Sequence, residues 1–302
     1  MQELILFQSK RNNYSFRYVL VAFLCLGALV AFFVVGLDVL KQFCLALETN
    51  VPISSLYQFR ARKLTTQLSG SNNLVQLRYR LMSPAKLSAE KAPVLIFLHG
   101  KGARGSDNVR QLLSLPLLLQ EEPYRSKFPC YVLVPQCPNT HDWKSYNIFK
   151  PPNNFQHPIM AMLNDVLQNH PADPNRVYLC GFSMGGYGCW DLATQYPERF
   201  AALVPIAGGG DAARVYALSR TPIWNVHSRD DQTVPVTQSR DLINALKKAG
   251  GNPKYTEYAN AGHGAWQPAF RDSDEILTWM FQQSRTQSPD VKDGRNEANF
   301  IW

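Results

Sequence analysis

The 302-residue chain lacks the spacings that mark most metal and nucleotide sites. No H-E-x-x-H and no paired C-x-x-C occurs, so a metal site has no support. No G-x-x-x-x-G-K-[ST] is present, and the glycine-rich stretch at His99-Gly100-Lys101-Gly102 does not open a helix at the first strand, as a dinucleotide site requires. No cofactor is expected. No internal repeat is visible. The formal net charge of +8 is spread along the chain and is not clustered with aromatics, which argues against nucleic-acid binding. It licenses only a mild attraction to anionic surfaces. Six cysteines make no disulfide framework. Cys130 and Cys137 flank the strand-like Tyr131–Val134, and an extended segment of that length separates their Cα atoms by about 23 Å. A disulfide needs about 7 Å or less. Cys180 and Cys189 read as small buried hydrophobes, and Cys25 and Cys44 lie in or just after an apolar run.

That run, Val19 to Leu37, is one of two strong positive features. Its 19 residues are uninterruptedly apolar and bracketed by Arg17 and Asp38, long enough to cross a bilayer as a helix. A cleavable signal peptide would have a shorter apolar core of about 7–15 residues and a small-x-small site after it. Asp38–Phe43 offers no such site. The expectation is an uncleaved anchor over 18–40 that contacts the lipid bilayer. Lys10, Arg11 and Arg17 precede the span, whereas its near C-terminal flank holds only Lys41. This predicts a cytoplasmic N-terminus (1–17) and an extracytoplasmic remainder. A linker at 41–54, a globular domain at 55–283 and a polar tail at 284–302, expected to be disordered, complete the predicted organisation.

The second feature is Gly181-Phe182-Ser183-Met184-Gly185, a G-x-S-x-G between the β-prone Arg176–Cys180 and a helical stretch through Tyr196. A serine on a sharp strand-to-helix turn is held strained with its hydroxyl exposed, and small neighbours let the two elements approach. The following helix N-terminus offers backbone N–H groups to a developing oxyanion. Downstream, the strand-like Thr221–His227 leads into Ser228-Arg229-Asp230-Asp231-Gln232-Thr233-Val234-Pro235. Lys254–Tyr258 then delivers Ala261-Gly262-His263-Gly264. Ser183, an acid and His263 would therefore share one edge of one sheet, with His263 as the general base and the carboxylate fixing its tautomer.

These motifs, with Leu98-His99-Gly100-Lys101-Gly102-Ala103-Arg104-Gly105 in front, resemble the α/β-hydrolase superfamily over about residues 55–283. The likeness is to the phospholipase/carboxylesterase and dienelactone-hydrolase-like esterases, including those of the feruloyl and acetyl-xylan kind. The resemblance implies that the acid is the aspartate of D-x-x-V-P, Asp231, with Asp230 and Asp211 as fallbacks. It also implies oxyanion N–H groups from Lys101 and Met184. Ala103 stands where relatives often carry an acidic residue, which bears on the loop's conformation more than on hydrolysis.

Strands at 75–81, 94–98, 131–134, 177–180, 202–206, 223–226 and 254–258 alternate with helices at 159–169, 188–195, 237–249 and 273–283. The expected fold is thus α/β, a doubly wound and mostly parallel sheet preceded by one transmembrane helix. Trp143, Tyr146 and Phe149 in a long Pro/Asn-rich loop, and Trp266 beyond His263, are candidate substrate-lining aromatics. His99 is expected to hold neighbouring backbone. His227 should be a satisfied core residue or support the site from behind, and His141, His157 and His170 should be surface loop. The expected activity is hydrolysis of a small-molecule or carbohydrate-linked carboxylic ester through an acyl-Ser183 intermediate. A tethered non-catalytic binding protein, a peptidase and an acyltransferase are the alternatives.

Overall fold

The computed structural model describes residues 36–37, 39–67, 74–86, 90–143 and 156–285. The chain divides into two units, residues 1–50 and 51–302. In the first, 39–48 is helical, and the Thr49 hydroxyl closes it by donating to the Leu45 carbonyl at 2.7 Å. Leu, Lys, Gln, Ala and Glu are all good helix formers, so the first half of the expected linker is ordered helix. Nearly all of the apolar run at 19–37 lies outside the described residues, as do Tyr146, Phe149 and the tail beyond 285. Among the described residues no helix is long and apolar enough to cross a membrane.

The second unit is built on an eight-stranded sheet in the order β1-β2-β4-β3-β5-β6-β7-β8. The strands are β1 Phe59–Gln67, β2 Leu74–Met82, β3 Ala92–Leu98, β4 Tyr131–Pro135, β5 Ala172–Phe182, β6 Ala202–Ile206, β7 Trp224–Ser228 and β8 Lys254–Tyr258. β1–β2 and β2–β4 are antiparallel and all other pairs parallel. The four middle strands carry continuous apolar runs such as Val94-Leu95-Ile96-Phe97-Leu98, buried throughout. Runs of this kind suit strands covered on both faces. β1 has the opposite character: Arg60, Arg62 and Lys63 are exposed along it. Charges on an edge strand discourage further pairing, and they also hide the strand from an apolar-pattern reading.

Helices cover both faces. Val177 and Leu179 of β5 join one core with Leu163 and Val166 of the helix Gln156–Asn169 and Ala193 of the helix Met184–Gln195. Tyr178 between them turns to the other face. Its ring lies 5.1 Å from Phe281, and its hydroxyl donates to the Phe281 and Gln283 carbonyls beside the helix Glu275–Phe281. The period of two along β5 thus feeds two layers, and the sheet is doubly wound.

One buried cation locks the first strands to the loop after β3. The Arg80 guanidinium donates to the carbonyls of Asn108, Leu56 and Phe59 at 2.7, 3.1 and 2.8 Å. Burial lowers its pKa to about 10, so it stays charged at neutral pH. In a parallel sheet the loops at the carboxyl ends of the strands gather along one edge. Those after β3, β5, β7 and β8 carry Lys101, Ser183 with Met184, Asp230 with Asp231, and His263.

Candidate active site

Ser183 sits between β5 and the elbow helix Met184–Gln195 with φ 56° and ψ −116°. A non-glycine residue held there costs on the order of 1–3 kcal/mol, tolerated only when the surroundings over-determine it. They do so here: the Ser183 amide donates to the Ile206 carbonyl of β6 at 2.9 Å, and its carbonyl accepts from Tyr187 at 3.1 Å. The flanking glycines are required by contact. A Cβ on Gly185 would fall 1.8 Å from the Leu98 carbonyl oxygen, and one on Gly181 would fall 2.3 Å from the Gly185 oxygen. No side chain fits either position without separating strand and helix.

His263 lies in a 3-10 turn, Gly262–Gly264, three residues after the end of its approach from β8. Its Nε2 is 2.8 Å from the Ser183 hydroxyl oxygen and its Nδ1 2.8 Å from Asp231 Oδ2. Asp231 Oδ1 accepts the backbone N–H groups of Thr233 and Val234 at 2.8 and 2.9 Å. Burial of this carboxylate pulls its pKa upward. The hydrogen bonds from His263, Val234 and Thr233 outweigh that pull and hold it below the ordinary value. The carboxylate therefore stays anionic at neutral pH, and an anion there makes Nδ1 the protonated nitrogen of neutral His263. Nε2 is left to accept the serine proton.

The adjacent Asp230 has a different task. Its Oδ1 accepts from the Ser228 hydroxyl at 2.6 Å and from the Gly262 N–H at 2.9 Å, while the Ser228 oxygen accepts from the Ala261 N–H at 2.9 Å. Ser228 and Asp230 thus clamp the His263 turn to the loop after β7. Asp211 is exposed after β6 and accepts the N–H of Ala213 instead of meeting an imidazole.

Lys101 is the first residue of the 3-10 turn Lys101–Ala103 and Met184 the first of the elbow helix. The N–H of a first helical residue has no intrahelical acceptor, so both are free to serve an oxyanion. The loop bearing Lys101 is fixed by buried polar contacts. His99 Nε2 accepts the Cys137 N–H at 3.0 Å, which makes Nδ1 the donor to the Gly100 carbonyl at 2.7 Å. Burial lowers the His99 pKa to about 4 and keeps the ring neutral. Trp143 does not line an open cleft. It is 1% exposed, donates its indole N–H to the His99 carbonyl at 2.8 Å and packs edge-on to the His99 ring at 5.0 Å. It props the loop from beneath, because its apolar ring reaches the core above Gly188. Trp266 is half-buried at the start of the helix Trp266–Phe270, with the Arg271 guanidinium 5.7 Å from its ring centre. His157 lies in the helix Gln156–Asn169 instead of a loop and meets the Tyr196 hydroxyl at 2.9 Å, and His141 meets the neighbouring Thr140 hydroxyl at 2.7 Å.

A cavity of about 450 Å³ opens along the elbow helix, walled by Tyr187, Trp190, Asp191, Thr194, Asp211 and Arg214 among others. Of these only Asp211 was marked by a sequence motif, although Tyr187, Asp191 and Thr194 recur at helical spacing on one face of the elbow helix. Asp191 and Arg214 are paired at 3.1 Å, so the wall is polar yet partly neutralised. Among the described residues no group of His, Cys, Asp and Glu could hold a metal ion, and all five described cysteines are free.

The chain is similar to several known esterases and to one family of hydrolases. The model of the dienelactone hydrolase family matches residues 148–276. A thermostable esterase of known structure is 34% identical with a TM-score of 0.70, covering 77% of this chain and 64% of that one. A feruloyl esterase B of Neurospora crassa is 28% identical over 158 residues, half of each chain. A bifunctional acetylxylan esterase/xylanase of Neocallimastix patriciarum is 26% identical over 152 residues, 47% of this chain and 22% of that protein. The chain thus spans from about a fifth to half the length of these two relatives. The fold is that of the α/β-hydrolases, and the matches liken the chain to esterases and, over less than half its length, to the dienelactone hydrolase family.

Proposed function

We propose that the protein is a serine hydrolase of carboxylic esters in which Ser183 is the nucleophile, His263 the general base and Asp231 the orienting acid. The observation that carries this reading is the unbroken chain Asp231–His263–Ser183, with both links at 2.8 Å. His263 takes the hydroxyl proton as Ser183 attacks the ester carbonyl, and the tetrahedral oxyanion turns to the N–H groups of Lys101 and Met184. The same imidazole, now charged, returns the proton to the departing alcohol, and water repeats the sequence to release the acid. Acyl-Ser183 is the intermediate.

The substrate proposed is a small-molecule or carbohydrate-linked ester. The likeness to an acetylxylan esterase and a feruloyl esterase supports the carbohydrate-linked kind. The N-terminal run at 19–37 supports a further proposal, that this domain is tethered by a single span with residues 50–302 outside the cytoplasm.

Turnover of p-nitrophenyl esters of increasing acyl length, set against acetylated and feruloylated sugars and against peptide amides, tests the reaction class. Ester hydrolysis that vanishes with Ser183→Ala is expected, and peptide cleavage without ester cleavage overturns it. Protease added to intact cells tests the tether: digestion of the domain is expected, and protection until the membrane is broken contradicts the orientation.

A further inference from the structure

Behind Asp231 lies a second histidine that the proposed chemistry does not use. His227, on β7, is 0% exposed, and three groups meet its two ring nitrogens. Nε2 lies 2.9 Å from the Val234 carbonyl oxygen and 3.3 Å from Asp231 Oδ2, while Nδ1 lies 2.7 Å from the Ser239 hydroxyl oxygen. A carbonyl and a carboxylate can only accept, so Nε2 must carry the proton. Nδ1 then accepts from the Ser239 hydroxyl.

Resting on the hydrolase reading above, we propose that His227 is a positioning residue for that reaction. Its Nε2–H, shared between Val234 and Asp231 Oδ2, holds the carboxylate in the plane that His263 needs. The side chains Ser239, His227, Asp231, His263 and Ser183 then form one continuous series of polar contacts from the helix Thr237–Lys248 to the nucleophile. With His227 in place, Asp231 receives three N–H hydrogen bonds and a fourth N–H group 3.3 Å from Oδ2, which together resist its rotation away from the imidazole. Without it, Oδ2 is held by His263 alone, the partner it is meant to orient.

The surroundings keep His227 a neutral donor. Burial lowers its pKa, more than Val234 and Asp231 raise it, and a charged His263 would lower it further. Glu257, its cross-strand neighbour on β8, is occupied by Arg229, Arg240 and the Tyr255 hydroxyl. Tyr187 on the elbow helix is pushed up by burial and by the charge of Asp231, so it stays protonated. Asp231 is therefore the anion that His227 serves.

The test compares His227→Met, which removes the donor at similar volume, with His227→Gln, whose amide N–H reaches toward the same acceptors. Hydrogen bonds to charged groups imply a loss of about ten- to a hundredfold in kcat for His227→Met. KM should stay unchanged, and His227→Gln should keep most of the activity. The pH profile separates positioning from damage to the core. Losing one donor concentrates the Asp231 charge on His263 and favours the imidazolium, so the acidic limb of kcat/KM should move to higher pH. Activity of His227→Met within threefold of the parent, an unmoved limb, or equal losses in both variants would overturn the proposal.

If His227→Met does not fold, ring ¹⁵N spectra of the parent decide. The imidazole whose signals move in Ser239→Ala should show a neutral Nε2–H tautomer at pH 7 and above, and one that is charged there or carries its proton on Nδ1 refutes the assignment. Fluorophosphonate labelling of the parent is the reference. A parent that labels at Ser183 but is indifferent to His227 defeats this inference alone, whereas a parent that does not label defeats the hydrolase reading.

Discussion

The loop after β3 and the turn after β8 each place a histidine at the carboxyl edge of the sheet, and the two rings are put to opposite uses. His99 is 2% exposed, and both its nitrogens are satisfied by backbone within its own neighbourhood, Gly100 and Cys137. His263 is partly exposed, and its nitrogens reach side chains on two other loops, Asp231 and Ser183. The first ring shapes a loop, while the second can exchange a proton. What separates these two is surroundings as well as partners: His99 is buried against backbone groups, whereas His263 is partly exposed and lies between a carboxylate and the hydroxyl of the strained elbow serine.

The sharpest way to break this contrast is to remove the group that His263 faces. Ser183→Ala should leave the fold intact and reduce ester hydrolysis by about 10⁴–10⁶-fold. Steady-state rates on a p-nitrophenyl ester check this, and activity within tenfold of the parent contradicts it. Asp231→Asn should follow at about 10⁴-fold, because the imidazole loses its orienting anion.

The His99 half of the contrast is a matter of stability. Its folded pKa of about 4 lies below the ordinary 6.5, so the unfolded chain binds the proton more readily. Stability from this residue is complete above pH 6.5 and is lost as pH falls toward 4, by about 2 kcal/mol at pH 5. Urea unfolding at pH 7.5 and pH 5 should show the drop, and a His99→Gln chain should show a smaller one. Equal drops in the two chains would mean that His99 is not held neutral.

Smallest is the effect at Asp230. Asn can still accept the Gly262 N–H, so Asp230→Asn should cost less than about tenfold in kcat/KM. A larger loss here than at Asp231 would reverse the roles of the two residues.

Much of this was legible in the sequence because the chemistry depends on local patterns. The elbow needs glycine at 181 and 185 for contact reasons, and D-x-x-V-P places an aspartate whose carboxylate caps its own turn at Thr233 and Val234. The central strands announce themselves as apolar runs. What stayed hidden depends on long-range contact. β1 is a strand because β2 pairs with it along its whole length, while its own residues include Arg60, Arg62 and Lys63. Trp143 looked like a cleft aromatic and is a core prop, since nothing in its loop sequence reveals that its indole meets the His99 carbonyl 44 residues away. The His227 contact with Asp231 is by contrast local: the two are four residues apart and meet because the loop after β7 folds back on its strand.

The central claim is that the His263 partners, and not its mere presence at the sheet edge, make Ser183 reactive. It is tested most directly by the rate of fluorophosphonate labelling, with the modified peptide located by mass. The account predicts rapid modification confined to Ser183 in the parent, slowed by orders of magnitude in His263→Ala and Asp231→Asn and little changed in Asp230→Asn. Modification at another residue, or undiminished labelling of Ser183 in His263→Ala, would contradict it.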